Sequence, residues 1–131
     1  MIQNRLILLC QSVVTDKETN LVSYINSFEE ILIDKAPAKS SFSIGTVWEN
    51  VNEEEKHYKV RIELEDPQGA KRNIFNDQAL EFKSLTHRLN IVLNGFDLNV
   101  PGKYKFRFYF SNKNQDYQKP AGETVLLVKL K

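Results

Sequence analysis

One segment decides the fold class: residues 101–110, PGKYKFRFYF. From Tyr104 to Phe110 an aromatic side chain occupies every second position, and Lys105 and Arg107 occupy the first two positions between these aromatic residues. This alternation predicts a β-strand with one face buried and the other in solvent. The Pro-Gly pair in front of it predicts a turn, because Pro fixes φ and Gly tolerates a positive φ.

The same period of two recurs along the chain between turn signals. Residues 57–65 alternate apolar and polar or charged side chains, and the Asp-Pro-Gln-Gly sequence of residues 66–69 predicts a tight turn after them. Short alternating strands separated by turns are typical of two packed antiparallel sheets. We therefore predict that residues 1–131 form one all-β domain. It would be a single antiparallel β-sandwich of seven or eight strands with at most one short helix.

Two segments fit both a strand and a helix, residues 27–36 and residues 76–88. For the first we favour a strand, because Ile31 and Ile33 alternate with Leu32 and Asp34 before Pro37. In that interpretation residues 21–33 pair with residues 6–15 as the first hairpin. The second segment stays open between the two structures.

The charge balance limits the classes of partner. The chain has 18 Lys and Arg and 17 Asp and Glu, for a net charge of +1, which disfavours a general polyanion binder such as a nucleic-acid-binding protein. Residues 1–66 hold 7 basic and 12 acidic side chains (net −5), whereas residues 67–131 hold 11 and 5 (net +6). Such unequal halves allow complementary surfaces, which favours self-association or a protein partner.

The apolar content predicts a soluble, cytoplasmic chain with no membrane partner. The N-terminal apolar run, residues 6–10, is shorter than the roughly 7 to 15 residues of a signal-peptide core. No stretch approaches the roughly 18 apolar residues of a membrane span. Cys10 is the only cysteine, so an internal disulfide and a zinc site of several cysteines are both excluded.

Three stretches resemble a family of small, uncharacterised bacterial proteins of about this length. They are residues 12–16 (SVVTD), residues 20–25 (NLVSYI), and the path from Asn94-Gly95-Phe96 to the turn at residues 101–104 (PGKY). The resemblance covers nearly the whole chain, although Asn26 and Ser27 stand where family members often carry glycines. It implies an immunoglobulin-like sandwich without an established activity, so no functional residue carries over.

No residue pattern predicts catalysis, a cofactor or a metal site. His57 and His87 are the only histidines, and they do not have zinc-binding spacing. Cys10 lies in an apolar strand, which predicts a buried and unreactive thiol. We therefore expect no catalytic residue, no cofactor and no metal ligand in this chain.

The candidate interaction surface includes a cationic row, Lys103, Lys105 and Arg107, on the outer face of the strand at residues 101–110. An anionic partner would fit this row. The alternative is that the row pairs with Glu63 and Glu65 on a neighbouring strand.

Tyr117 completes the candidate surface, because a tyrosine among amide side chains in a polar loop suits recognition. The favoured function is a non-catalytic protein-interaction module acting through edge strands or loops. One alternative is a sandwich that binds a small ligand or carbohydrate through Trp48, Tyr24 or Tyr117, although the spacing of Trp48 from Ile44 favours core packing. The other is a hydrolase whose site is assembled from distant strands.

Overall fold

The computed structural model describes residues 2–51, 55–113 and 119–131. Within these ranges the chain forms nine strands and no helix, so no helix there has the length and hydrophobicity to cross a membrane. The strands are β1 (Ile2–Thr15), β2 (Val22–Phe28), β3 (Glu30–Ile33), β4 (Ala38–Asn50), β5 (His57–Glu65), β6 (Lys71–Glu81), β7 (Thr86–Leu98), β8 (Gly102–Ser111) and β9 (Gly122–Leu130).

The strands form two sheets, and the predicted all-β sandwich is confirmed. The first sheet has the order β2-β1-β4-β7 and the second the order β3-β9-β8-β5-β6. Paired strands run antiparallel, except that β3 and β9 run parallel.

The aromatic face of β8 lies at the centre of the core between the sheets. Phe106 and Phe108 are fully buried. Phe106 contacts Phe42 of β4 with ring centroids 6.2 Å apart, and Phe108 contacts Trp48 of the same strand at 5.3 Å. Burial of each such side chain stabilises the fold by about 1.5 to 3 kcal/mol, so the alternation in residues 101–110 is a main determinant of the sandwich.

The prediction for residues 57–69 is also confirmed. β5 buries its apolar positions, with Val60 and Ile62 no more than 1% exposed. In the turn after it, the amide of Gly69 donates to the carbonyl of Asp66 at 3.0 Å, and Gly69 has a φ of +88°. That conformation favours glycine, which explains the Gly at this position.

Residues 27–36 form strand rather than helix, but they belong to two sheets. The predicted pairing of residues 21–33 with β1 extends only to Phe28, and Glu30–Ile33 then pair with β9. Phe28 packs edge-on against Phe42 at 5.9 Å, while Ile33 is 8% exposed. Changing sheets allows both apolar side chains to face the core, and it raises the strand count in the described ranges to nine.

Residues 76–88 also contain no helix. They comprise the end of β6, a short connection and the start of β7. Phe82 in that connection is 1% exposed, and its amide donates to the carbonyl of Lys56 at 2.8 Å. The apolar residues of this segment therefore belong to two strands and to one buried side chain, Phe82, in the connection between them.

The end of the β1–β2 hairpin folds back over the outer face of the first sheet. β1 pairs with β4 only up to Cys10, and it pairs with β2 from Leu9 to Thr15. We call residues 11–27 the hairpin arm. Its Tyr24 ring lies against Gly45 of β4, so the arm covers part of that sheet.

Candidate functional site

The β7 strand is an open edge of the first sheet. Within the described part of the chain it has a hydrogen-bonded neighbour, β4, on one side only. Its middle, residues 89–94 (LNIVLN), carries no charged side chain. Val92 at its centre is 64% exposed, whereas the adjacent Ile91 is 8% exposed and faces the core. An uncharged edge of this kind is a template to which a further strand can be added.

The other three edges are short, irregular or both. β3 has only 4 residues. β6 shifts register twice against β5, on either side of Ile62 of β5, and has Asp77 at a φ of +41°. β2 keeps its register with β1 but contains Asn26 at a φ of +52°. Natural sheets protect their edges with such devices. β7 has its irregularity only near one end, where the Gly95 amide donates to the Ser41 hydroxyl at 2.9 Å.

The hairpin arm reaches β7 but leaves its middle accessible. The Arg88 guanidinium donates to the carbonyl of Asn20 at 3.5 Å. An open space of about 460 Å³ lies between the arm and this part of β7. Asn90 lines this space, and Val92 and Asn94 beyond it are exposed.

The predicted cationic row is largely neutralised by carboxylates on the neighbouring strands. Arg107 donates to Glu63 at 3.3 Å, to Glu65 at 2.8 Å and to Glu123 at 3.2 Å. Lys105 lies 4.0 Å from Glu65. The expected pairing of the row with Glu63 and Glu65 is therefore observed. The acidic and basic halves of the chain meet here, in the register of β5 with β8.

Hydrogen bonding within this network shifts the ionisation of its members. The hydrogen bond from Arg107 is the main reason that the pKa of Glu65 is lowered. Lys103, at the end of the row, is exposed and forms no ion pair with the residues that the structure describes. Of the three cations in this row, Lys103 alone is therefore without an ion pair among the residues that the structure describes.

A polar cleft of about 660 Å³ opens on the outer face of the second sheet. Lys59 of β5 lies in register with Ala79 of β6 and Ser111 of β8, and these two small neighbours leave the depression around it. At one end the Glu55 carboxylate accepts a hydrogen bond from the His57 amide at 3.0 Å. This bond is the main cause of the lowered pKa of Glu55, and the cleft combines cationic, anionic and hydroxyl groups.

Comparison with known proteins places the chain in a family. A model described as a family of unknown function, DUF6941, matches residues 5–118, which is most of the chain. The chain belongs to DUF6941. This confirms the resemblance to a small uncharacterised family. No curated protein matches the chain.

A solved structure shares the fold of this DUF6941 chain. It is the alkylpurine DNA glycosylase AlkC of Pseudomonas fluorescens, bound to DNA containing an abasic site analogue, with a TM-score of 0.60 and 8% sequence identity. The match covers 98% of the DUF6941 chain and 30% of the glycosylase chain. At this identity the likeness concerns the fold alone.

The two histidines and the cysteine of the DUF6941 protein lie in different surroundings. His87 packs against the Phe82 ring at 5.6 Å, and burial lowers its pKa, whereas His57 lines the polar cleft. Cys10 is buried, and burial raises the pKa of its thiol, as expected for an unreactive cysteine. Across residues 2–51, 55–113 and 119–131, no three His, Cys, Asp or Glu side chains are grouped to hold a metal ion.

Two of the three aromatic residues considered for ligand binding pack within the DUF6941 fold. Trp48 is fully buried and its Nε1 donates to the Thr46 hydroxyl at 2.7 Å, which confirms core packing. Tyr24 packs on Gly45. Tyr117 lies outside the described residues.

Sequence reasoning did not identify the open edge. The pairing partners of a strand within a sheet are not apparent from the pattern of that strand alone. The available signal was the uncharged run itself, bounded by Arg88 and Gly95, because charges and bulges usually protect an edge.

Proposed function

We propose that this DUF6941 protein is a non-catalytic protein-interaction module that adds an extended segment of a partner chain to the β7 edge. The observation that carries the proposal is the exposed, uncharged middle of β7, residues 89–94, with Val92 at 64% exposure. Main-chain hydrogen bonds to such an edge supply affinity, and side chains on alternating positions supply specificity. Ile91 and Leu93 would contribute the core-facing contacts, and Asn90, Val92 and Asn94 the outer ones.

Selection of ligands from a displayed library of random ten-residue peptides tests this proposal. Selected peptides should bind the protein in solution by fluorescence anisotropy. Amide hydrogen exchange at residues 88–94 should slow on binding, because edge amides gain hydrogen-bond partners. Val92→Lys should weaken binding by at least about tenfold, since a cation replaces the central apolar contact.

Leu130→Lys is the matched control, because Leu130 is 53% exposed on β9, in the other sheet from β7. It should leave peptide affinity unchanged. Peptides that bind Val92→Lys and the wild-type protein equally well would place the docking surface elsewhere and overturn the proposal.

We propose that the partner of this protein is not a nucleic acid. The related fold in the glycosylase occurs in a protein bound to DNA. Here, however, Arg107 is surrounded by three carboxylates, and aromatic side chains of β8 such as Phe106 and Phe108 are buried rather than available for stacking on bases. A fluorescent DNA duplex should therefore show no rise in anisotropy with the protein at physiological salt. Salt-sensitive binding there would contradict this part of the proposal.

Two finer properties belong to the same proposal. The Tyr104 hydroxyl donates to the carbonyl of Val100 at 2.6 Å at the start of β8, a contact like the tyrosine corner of immunoglobulin-like domains, and it supports that type of sandwich. The single buried Cys10 supports a reducing, cytoplasmic location.

The polar cleft favours a second candidate function, binding of a small polar ligand. Its volume of about 660 Å³ suits a small molecule, and Lys59, His57 and Glu55 offer both signs of charge. A thermal-shift screen with nucleotides, sugars and carboxylic acids should then identify a compound that raises the melting temperature. Lys59→Met should abolish that rise, whereas Lys71→Met on the adjacent β6 should not.

A further inference from the structure

We propose that the partner at the β7 edge is a second copy of this chain, paired antiparallel through β7 with a two-fold axis at Val92. The inference rests on the proposed function, because it takes β7 as the docking edge. The result would be one continuous eight-stranded sheet built from the four-stranded sheets of two molecules. An interface with this symmetry uses the same surface patch on both molecules, so that patch must be complementary to itself.

The middle of β7 is chemically symmetric about Val92. The sequence from residue 90 to residue 94 is Asn-Ile-Val-Leu-Asn. In an antiparallel pair centred on Val92, Asn90 lies opposite Asn94 of the partner and Ile91 lies opposite Leu93. Val92 lies opposite its own copy. Each side chain therefore meets one of its own chemical type, as a self-complementary surface requires.

The burial pattern of β7 fits this pairing on both faces of the sheet. A two-fold axis perpendicular to the sheet keeps each face on its own side. Ile91 belongs to the core and Leu93 packs against it, so the pair would extend one apolar layer across both molecules. On the outer face the two exposed Val92 side chains would meet, and their Cβ atoms would lie about 4.5 to 5.5 Å apart.

Charge does not oppose the pairing. Residues 89–96 contain no charged side chain, so no like charges lie opposite each other in the paired middle. Arg88 lies opposite Phe96 in this register, beyond the register shift of β7 between Leu93 and Phe96, which ends the regular pairing. The short interface predicts a weak dimer whose population rises with protein concentration.

Cysteine cross-linking tests the two-fold axis directly. In Val92→Cys the two new thiols would face each other, so mild oxidation should join the copies. Asn90→Cys alone should not cross-link, since four residues separate the two Asn90 positions along the strands, or about 13 Å. A mixture of Asn90→Cys and Asn94→Cys proteins should cross-link as a heterodimer. The native Cys10 is buried, and the wild-type protein is the oxidation control.

Sedimentation equilibrium over a concentration series measures the association itself. The wild-type protein should show a mass that rises toward the dimer, and Val92→Lys should raise the dissociation constant at least about tenfold. Leu130→Lys, in the other sheet, should retain the wild-type constant. The proposal is overturned by a mass that stays monomeric throughout, by a Val92→Lys protein that dimerises normally, or by equal cross-linking of Val92→Cys and Asn90→Cys.

These outcomes separate the two proposals. A monomeric protein whose selected peptides still depend on Val92 would exclude the second copy and retain β7 as a docking edge. A protein that neither dimerises nor binds peptides through β7 would exclude both.

Discussion

The ring of Tyr24 lies directly against the backbone of Gly45. A Cβ atom at position 45 would come within 2.7 Å of Tyr24 Cδ1, closer than real side chains approach. Tyr24 is in β2 and Gly45 in β4, with β1 between them, so the ring crosses the outer face of the sheet. Gly45 is therefore required by the space above it, and the contact holds the hairpin arm on the sheet.

Gly45→Ala should destabilise the protein by about 1 to 3 kcal/mol, because the added methyl group overpacks the contact with the Tyr24 ring. Urea unfolding followed by circular dichroism measures this cost. In the Tyr24→Leu background the same substitution should cost much less, since the planar ring is gone. Equal costs in the two backgrounds would show that another neighbour restricts position 45.

Tyr24→Phe should leave stability unchanged or raise it by up to about 1 kcal/mol. The Tyr24 hydroxyl is buried and has no hydrogen-bond partner among the described residues, so removing it relieves a desolvation cost. Tyr104→Phe is the comparison. It should lower stability, because the Tyr104 hydroxyl donates to the carbonyl of Val100. A loss of stability in Tyr24→Phe equal to that of Tyr104→Phe would contradict the assignment.

Arg107→Met should lower the urea midpoint more than Lys105→Met does. Arg107 bonds three carboxylates, whereas Lys105 lies at the limit of contact with one. The effect should depend on pH. Because the pKa of Glu65 is lower in the folded protein than in the unfolded chain, the Glu65 carboxylate stabilises the fold fully above its unfolded pKa of about 4.3. This stabilisation is lost as pH falls through the lower pKa of the folded state. The difference between wild type and Arg107→Met should therefore shrink below that pH, and a constant difference from pH 7 to pH 3 would exclude an electrostatic origin.

The free energy of unfolding should decrease as pH falls below about 6.5, and His87 should be a cause. Burial lowers the pKa of His87 in the folded state. Below the unfolded value the unfolded chain therefore takes up a proton that folded His87 does not yet bind. Urea unfolding at pH 7.5 and pH 5.5 should show a smaller loss in His87→Phe than in the wild type. The same loss in both proteins would assign the pH dependence to another group.

Thr46→Val should cost about 1 to 3 kcal/mol, because it leaves the buried Trp48 Nε1 without its acceptor. The Thr46 hydroxyl also donates to the carbonyl of Leu89, so one side chain joins β4 to β7. Thr15→Val, at an exposed site, should change stability by less than about 0.5 kcal/mol. Thermal and urea unfolding of the two variants compares them directly, and equal small effects would mean that Trp48 finds another acceptor.

The regular strands were the most predictable part of this fold. In residues 57–65 and 101–110 the alternation of apolar and polar side chains is itself the physical cause of one buried face, so the pattern predicts the outcome. Residues 27–36 were less predictable, because the change of sheet after Phe28 depends on where Phe42 and β9 lie. The pairing of Arg107 with Glu63 was anticipated as an alternative, since both residues belong to strands with clear faces.

The sequence by itself determined that residues 101–110 form a strand with buried aromatics and a cationic outer row, and that this strand belongs to a β-sandwich. Only the tertiary structure decided that Arg107 is neutralised and that β7 is an open edge. Side-chain alternation is a local property of one strand, whereas the neighbours of that strand are set by long-range pairing. Whether a row of cationic side chains is an accessible charged surface or part of an ion-pair network therefore depends on the side chains of the neighbouring strands.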